Sequence, residues 1–261
     1  MELSVEVLLF LLAAGGLAGF IDAMAGGGGL ITLPALLAAG VPIPNALATN
    51  KLQSSFGSFS ATFYFVRSGL VSLKQMRKAI VCTFVGAAIG AELVQIIEIE
   101  FLNSLIPLLL IAISLYFLLS SKKPVTEGEK PTLSDGMFAL CVGTSIGFYD
   151  GFFGPGTGSL FAVCFVVLGK LTLVEATART KVLNFTSNIS ALTFFLMSDL
   201  VIWQIGFTMA IGQFIGARLG AKVVVTKGQK WIRPLVITMS MLMALKLLWQ
   251  QHHQEILAWL G

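Results

Sequence analysis

The chain has 261 residues, of which 56% are hydrophobic and 11% charged, where an average soluble domain carries roughly 25% charged residues. That balance excludes an ordinary water-soluble globule, and a formal charge of +4 confined to loops gives nucleic-acid binding no footing. Cys82, Cys141 and Cys164 sit in apolar segments without metal-ligand spacing, so neither a disulfide framework nor a metal centre is implied, and no cofactor is expected.

Apolar windows of about 20 residues, the length a bilayer core of about 30 Å asks of a helix, recur along the chain. They fall at 5–24, 45–66, 79–97, 101–119, 135–153, 180–198, 201–221 and 231–249. The first is preceded by Glu2 and interrupted by Glu6, has no Lys or Arg in front, and runs into Asp22 without a small-residue cleavage site. It reads as a retained helix, not a signal peptide. Two further runs, 30–40 and 158–169, are only about 12 residues long, too short to span and suited to re-entrant arms. A polar, proline-bearing stretch at 121–134 reads as a linker between a first transmembrane repeat (1–120) and a second (135–250). Residues 251–261 form a tail, "HHQEILAWLG" in its greater part, with amphipathic spacing.

The division into repeats rests on sequence. "GFYDGFFGPGTGS" (147–159) restates "GFIDAMAGGGGLI" (19–31), placing Gly147, Phe148, Asp150 and Gly154 on Gly19, Phe20, Asp22 and Gly26. "EATARTKVLNFTSNISA" (175–191) lies over "NALATNKLQSSFGSFSA" (45–61), pairing Lys181 with Lys51 and Ser190 with Ser60. "IGQFIGARL" (211–219) lies over "VGAAIGAEL" (85–93). Matching loops carry opposite charge signatures. The loop after the first polar-tipped helix holds Arg67, Lys74, Arg77 and Lys78, whereas its counterpart near Asp199 has no base; the next loop of the first half holds Glu98 and Glu100, and its counterpart holds Arg218, Lys222, Lys227, Lys230 and Arg233. By the positive-inside rule the halves are inverted, with the linker inside and both termini outside the inner membrane. The expected fold is an all-α polytopic membrane protein of two inverted-topology repeats, each with a broken or re-entrant helix at a Gly-rich loop.

Irregular backbone at membrane depth is tolerated where it is buried in protein or lines a cavity. The glycines at 26–29 (Gly26, Gly27, Gly28, Gly29) and the loop Gly154, Gly156, Thr157, Gly158 permit sharp reversals and close approach of bare N–H groups. The helices restarting there present positive dipole ends suited to a small anion; tight helix packing is the structural alternative. Asp22 and Asp150, at matching places before the breaks, carry coupling protons, pair with Lys51 and Lys181, or cap broken backbone; the residues alone leave these open. Lys51 and Lys181 point at the anion or snorkel to an interface. Asn50 and Asn184 are candidate substrate contacts, and Thr49, Gln53, Asn188 and Gln213 candidate cavity-lining residues, with interhelical hydrogen bonding as the competing role. Neither histidine, His252 or His253, lies in a span, and no GxxxxGK[ST] occurs, so an intramembrane enzyme is disfavoured and any transport must draw on a gradient. A non-transporting scaffold or receptor, or a carrier of an uncharged or cationic molecule, are the other readings.

"GFIDAMAGGGGLITLPALLAAGVPIPNALATNKLQSSFGSFSATFYF", followed by "GFYDGFFGPGTGS" and "GQFIGARLGAKVV", closely resembles the TauE/SafE family of membrane proteins over nearly the whole chain. The resemblance implies export or exchange of small sulfur oxyanions or organosulfonates; a coupling proton or cation is a further partner that the intramembrane acids leave open. Pro155 and Thr157 replace Gly27 and Gly29 in the second copy, so the resemblance also implies two unequal half-sites.

Overall fold

The computed structural model describes residues 4–98, 100–101, 105 and 131–227; the predicted spans 101–119 (but for two residues) and 231–249, most of the linker and the tail lie outside them. Among the described residues every regular element is helical: α1 (Val5–Ala25), α2 (Gly29–Ala38), α3 (Ile43–Arg67), α4 (Leu73–Ile96), α5 (Thr144–Phe152), α6 (Thr157–Val167), α7 (Leu173–Phe195) and α8 (Trp203–Lys227). A short α-turn, Asp135–Met137, and a π-helical stretch, Phe138–Gly143, lead into α5. The caps follow local chemistry. Thr172 and Glu175 form a capping box at the start of α7, and Pro42 precedes α3 with a further proline in its first turn.

By length and composition α1, α4 and α8 each suffice to cross a membrane. α3 and α7 are as long but far more polar, and their polar residues are buried by the helices around them: Thr49, Asn50, Lys51, Gln53, Ser55, Ser58 and Ser60 on α3, and Thr180, Lys181, Asn184, Ser187, Asn188 and Ser190 on α7. These two helices form the polar heart of the molecule. The exposed side chains on its flanks are large and apolar, among them Leu9, Leu17, Phe59, Phe63, Val81, Ile89, Phe207, Ile211 and Leu219, as a lipid-facing surface requires.

The apolar core forms two clusters, one toward each end. One gathers Leu11 of α1, Leu36 of α2, Leu47 and Leu52 of α3, Val94 of α4, Phe195 of α7 and Ile205 of α8. The other gathers Met24, Phe65, Met76, Phe138, Phe165, Val182 and Val224. It follows that α1, α3 and α8 run from the first cluster toward the second, while α4, α5 and α7 run the opposite way. The short helices do not continue across. α2 returns to the cluster where α1 began, and α6 to the cluster where α5 began; there Thr132 N–H donates to the Leu168 carbonyl at 2.8 Å and Phe138 stacks on Phe165. With 10 residues, α2 reaches about 15 Å, half a bilayer core.

Helices of one half pack on helices of the other: α1 lies along α8, and α4 along α5, while α3 packs on α8 and α4 on α7. Glycines bring these backbones together. A Cβ on Gly212 or Gly216 would meet the Leu12 or Gly16 carbonyl of α1 at 2.3 or 2.0 Å, and one on Gly86 or Gly90 the Thr144 or Phe148 carbonyl at 2.2 or 2.1 Å. Two matched serines add parallel ties, with Ser60 donating to the Phe214 carbonyl at 2.8 Å and Ser190 to the Phe84 carbonyl at 2.7 Å.

Candidate functional site

The two broken hairpins meet tip to tip. The first break opens at Gly26 (φ 70) and Gly27 (φ 115), the second at Gly154 (φ 100) and Gly156 (φ 86), dihedrals that side-chain-bearing residues seldom adopt. A Cβ on Gly26 would lie 2.3 Å from the Ser159 nitrogen, and one on Gly29 would lie 3.0 Å from the Pro155 Cα. Ser159 Oγ locks the junction by donating to the Ala25 and Gly26 carbonyls at 2.7 and 3.1 Å. The glycines therefore serve contact between the loops as well as the reversals.

Each half's lysine pairs with the other half's aspartate. Lys51 Nζ on α3 donates to Asp150 Oδ1 at 2.9 Å and also to the Asp150 main-chain carbonyl. Lys181 Nζ on α7 donates to Asp22 Oδ2 at 2.7 Å. Of the roles open for the acids, pairing is realised twice and capping of broken backbone once: Asp22 Oδ1 accepts the N–H groups of Gly27 and Gly28, each at 3.1 Å. The free donors of the first break are thus turned onto a carboxylate of the chain itself.

The two pairs are unequal. The Lys51 and Lys181 side chains are each 1% exposed, and Asp150 is 4% exposed, but Asp22 is 21% exposed. Asp150 is further held by Thr157 Oγ1 at 3.1 Å and by the Ser187 hydroxyl. Asp22 has no such hydroxyl: Gly29 stands where the second copy has Thr157, and Gly57 where it has Ser187. Lys181 has one acceptor among the described residues, leaving ammonium protons available. Beside it on α7, the buried Thr180 Oγ1 and Asn184 Oδ1 have no hydrogen-bond partner among the described residues. Gly158 faces the same point, since its Cβ would lie 2.9 Å from Asn184 Nδ2 and 3.2 Å from Lys181 Nζ.

The remaining candidates are spread around this centre. Asn50 Oδ1 accepts from Thr32 Oγ1 at 2.6 Å and from Gln53 Nε2 at 2.7 Å, tying α3 to α2, while Gln53 Oε1 is buried without a partner among the described residues. Asn188 donates to the Asn184 carbonyl at 2.7 Å. Thr49 Oγ1 accepts the Ile202 N–H at 3.0 Å at the entrance to α8. Gln213 wedges against Gly19 and Gly57, where either Cβ would strike its side-chain oxygen. Ser187 and Thr32 were missed as candidates. Ser187 follows Thr180 and Asn184 at i, i+4, i+7 spacing, a signal the sequence does hold; Thr32 lies in an apolar run and has none. Among the described residues no group of His, Cys, Asp and Glu is arranged to hold a metal.

An all-helical chain with lipid-facing flanks, two half-length helices ending at its centre and charged residues at the helix breaks is a polytopic membrane protein with a buried polar site. The family model described as Sulfite exporter TauE/SafE matches residues 11–247, and the chain belongs to that family. It is 52% identical over 246 residues to the "Probable membrane transporter protein YfcA" of Escherichia coli (strain K12), covering 94% of this chain and 91% of that protein. A "Probable membrane transporter protein" of Haemophilus influenzae is 45% identical over 251 residues, with 96% and 98% coverage. The "Probable membrane transporter protein ORF9" of a Sinorhizobium species is 44% identical over 269 residues, with 100% and 99% coverage. No solved structure matches the chain.

Proposed function

We propose that this chain is a secondary transporter of a small anion, a sulfur oxyanion or organosulfonate, working by alternating access around the meeting point of the two hairpins. The observation that carries the reading is the reciprocal pairing of Lys51 with Asp150 and Lys181 with Asp22. Two cations and two carboxylates at the crossing of two broken helices make a neutral centre that admits an anion when one carboxylate gives way. The more exposed pair, Lys181 with Asp22, is the one to open. Protonation of Asp22 frees the Lys181 ammonium, and the neighbouring Thr180, Asn184 and Gly158 supply contacts of the kind an oxyanion needs. Uptake of a proton together with an anion keeps the centre neutral, which couples substrate to a proton gradient. The opposed run of matching helices supports an inverted-repeat architecture, and the loop charges support an inner-membrane orientation with both termini outside.

Thermal unfolding of the purified protein against sulfite, sulfate, thiosulfate, sulfoacetate, taurine, phosphate and acetate tests the reading. Saturable stabilisation by one anion class is expected, reduced at least tenfold in apparent affinity by Lys181→Ala. If no anion stabilises a well-folded protein, the anion reading falls, and a cationic or neutral substrate or a scaffold role takes its place.

A further inference from the structure

Away from the centre, where α3 ends against the later part of α8, Phe63, Tyr64, Arg67, Ser68 and Arg218 line a cavity of about 240 Å³. Two guanidinium groups converge on it, Arg67 over the Phe63 ring at 5.7 Å and Arg218 over the Tyr64 ring at 5.9 Å. Neither arginine is paired with a carboxylate among the described residues. Ring stacking holds the planar groups in place while leaving their N–H edges to bind an acceptor.

The surface leading to this cavity is apolar on both helices. On α3 the exposed Phe56, Phe59 and Phe63 descend at helical spacing to Arg67, and on α8 Ile211, Phe214 and Ile215 descend to Arg218. The helices are in contact along this path, through Phe56 with Phe207 and Ser60 with the Phe214 carbonyl. A lipid-facing strip that ends in two unpaired guanidiniums matches one amphiphile: acyl chains along the strip, and a negatively charged phosphate between the arginines. Lys222 on α8 and Lys74, Arg77 and Lys78 on α4 add positive charge toward the same end.

We propose that this cavity is a binding site for the phosphate headgroup of an anionic phospholipid. Basic pockets between membrane helices suit such headgroups. The site is separate from the ion-paired centre, being built by the last turn of α3 and the face of α8 around Arg218.

Native mass spectrometry and thermal unfolding of the full chain in mild detergent test it, using phosphatidylglycerol and phosphatidylcholine with identical acyl chains, and glycerol 3-phosphate as the free headgroup. The wild type is expected to retain phosphatidylglycerol over phosphatidylcholine by about tenfold or more. Arg67→Gln with Arg218→Gln removes the preference, and Arg77→Gln, outside the cavity, weakens it less than either single cavity substitution. The single substitutions, each at an exposed residue, carry the test if the double variant does not fold, and each is expected to lose part of the preference. Equal retention of the two lipids by the wild type, or a preference that survives loss of either arginine, overturns the site. Erasure by Arg77→Gln would reduce it to diffuse surface charge. Stabilisation by glycerol 3-phosphate equal to that by the lipid would make it a soluble-anion site.

Discussion

Asp150 and Asp22 stand at matching places in the sequence but are held differently, because their neighbours differ by a few atoms. Asp150 is sealed by an ammonium and two hydroxyls, while Asp22 is held by an ammonium and two backbone N–H groups and stays 21% exposed. Removing one partner from a buried ion pair strands the other, at about 3–5 kcal/mol. Lys51→Met should therefore destabilise the protein by about that much, and adding Asp150→Asn should restore much of the loss, because no bare charge is then left. Lys181→Met should cost less, since the abandoned Asp22 keeps its N–H donors and some access to water. Denaturant unfolding of the purified variants measures all three, and equal costs for the two lysines would remove the distinction between a locked and an opening pair. The sequence marked all four charged residues, since ionisable groups in apolar runs are conspicuous. It did not reveal the crossed pairing, because the partners lie in different repeats and any order within or between repeats satisfies the same composition.

Among the elements, the glycines fall into two physical classes that composition cannot separate. Gly26, Gly27, Gly154 and Gly156 at the breaks adopt positive φ, while those inside α1, α4, α5 and α8 are helical and most of them let backbones touch. Neighbouring residues on α1 make the second class testable. A Cβ on Gly15 would lie 2.6 Å from the Met209 carbonyl, whereas one on Gly16 would find the Gly212 carbonyl at 3.7 Å, an ordinary contact. Gly15→Ala should then push α8 away and destabilise by about 1–3 kcal/mol, as overpacking does. Gly16→Ala should be neutral or stabilise by up to about 1 kcal/mol, the helix-propensity gain of Ala over Gly. Thermal unfolding separates them, and matched losses would mean that α1 and α8 are less closely apposed. The long helices were legible because apolar length is a strong signal: the windows at 5–24, 45–66 and 201–221 lie within or across α1, α3 and α8. The return of the short helices was legible only as a length argument. Their direction is set by which distant cluster each end joins, and that is tertiary information.

At the scale of the whole molecule, the proposed alternating access is served more simply by bodies other than the sequence halves. Apart from α3 against α7, the extensive pairings join α1 and α3 to α8, and α4 to α5 and α7, with α2 beside α1 and α3 and α6 beside α7, so each bundle holds the fourth helix of the other repeat. What joins the bundles is α3 against α7 and the crossed hairpin tips with their two ion pairs. Rocking of one sequence half against the other would have to tear the glycine-packed α1–α8 and α4–α5 seams, whereas rocking of the exchanged bundles leaves them whole and works the site directly. Two aromatic pairs on α3 distinguish these motions. Phe59 meets Phe185 of α7 with ring centroids 5.4 Å apart, across the bundle boundary, and Phe56, three residues earlier, meets Phe207 of α8 at 6.1 Å, inside one bundle. Cysteines at 59 and 185, joined by a short bifunctional thiol reagent in a background freed of Cys82, Cys141 and Cys164, should abolish exchange of the stabilising anion in liposomes. The same reagent across 56 and 207 should leave most of it. If both cross-links block exchange, α8 moves relative to α3 as α7 does, and the sequence repeat is the moving unit after all.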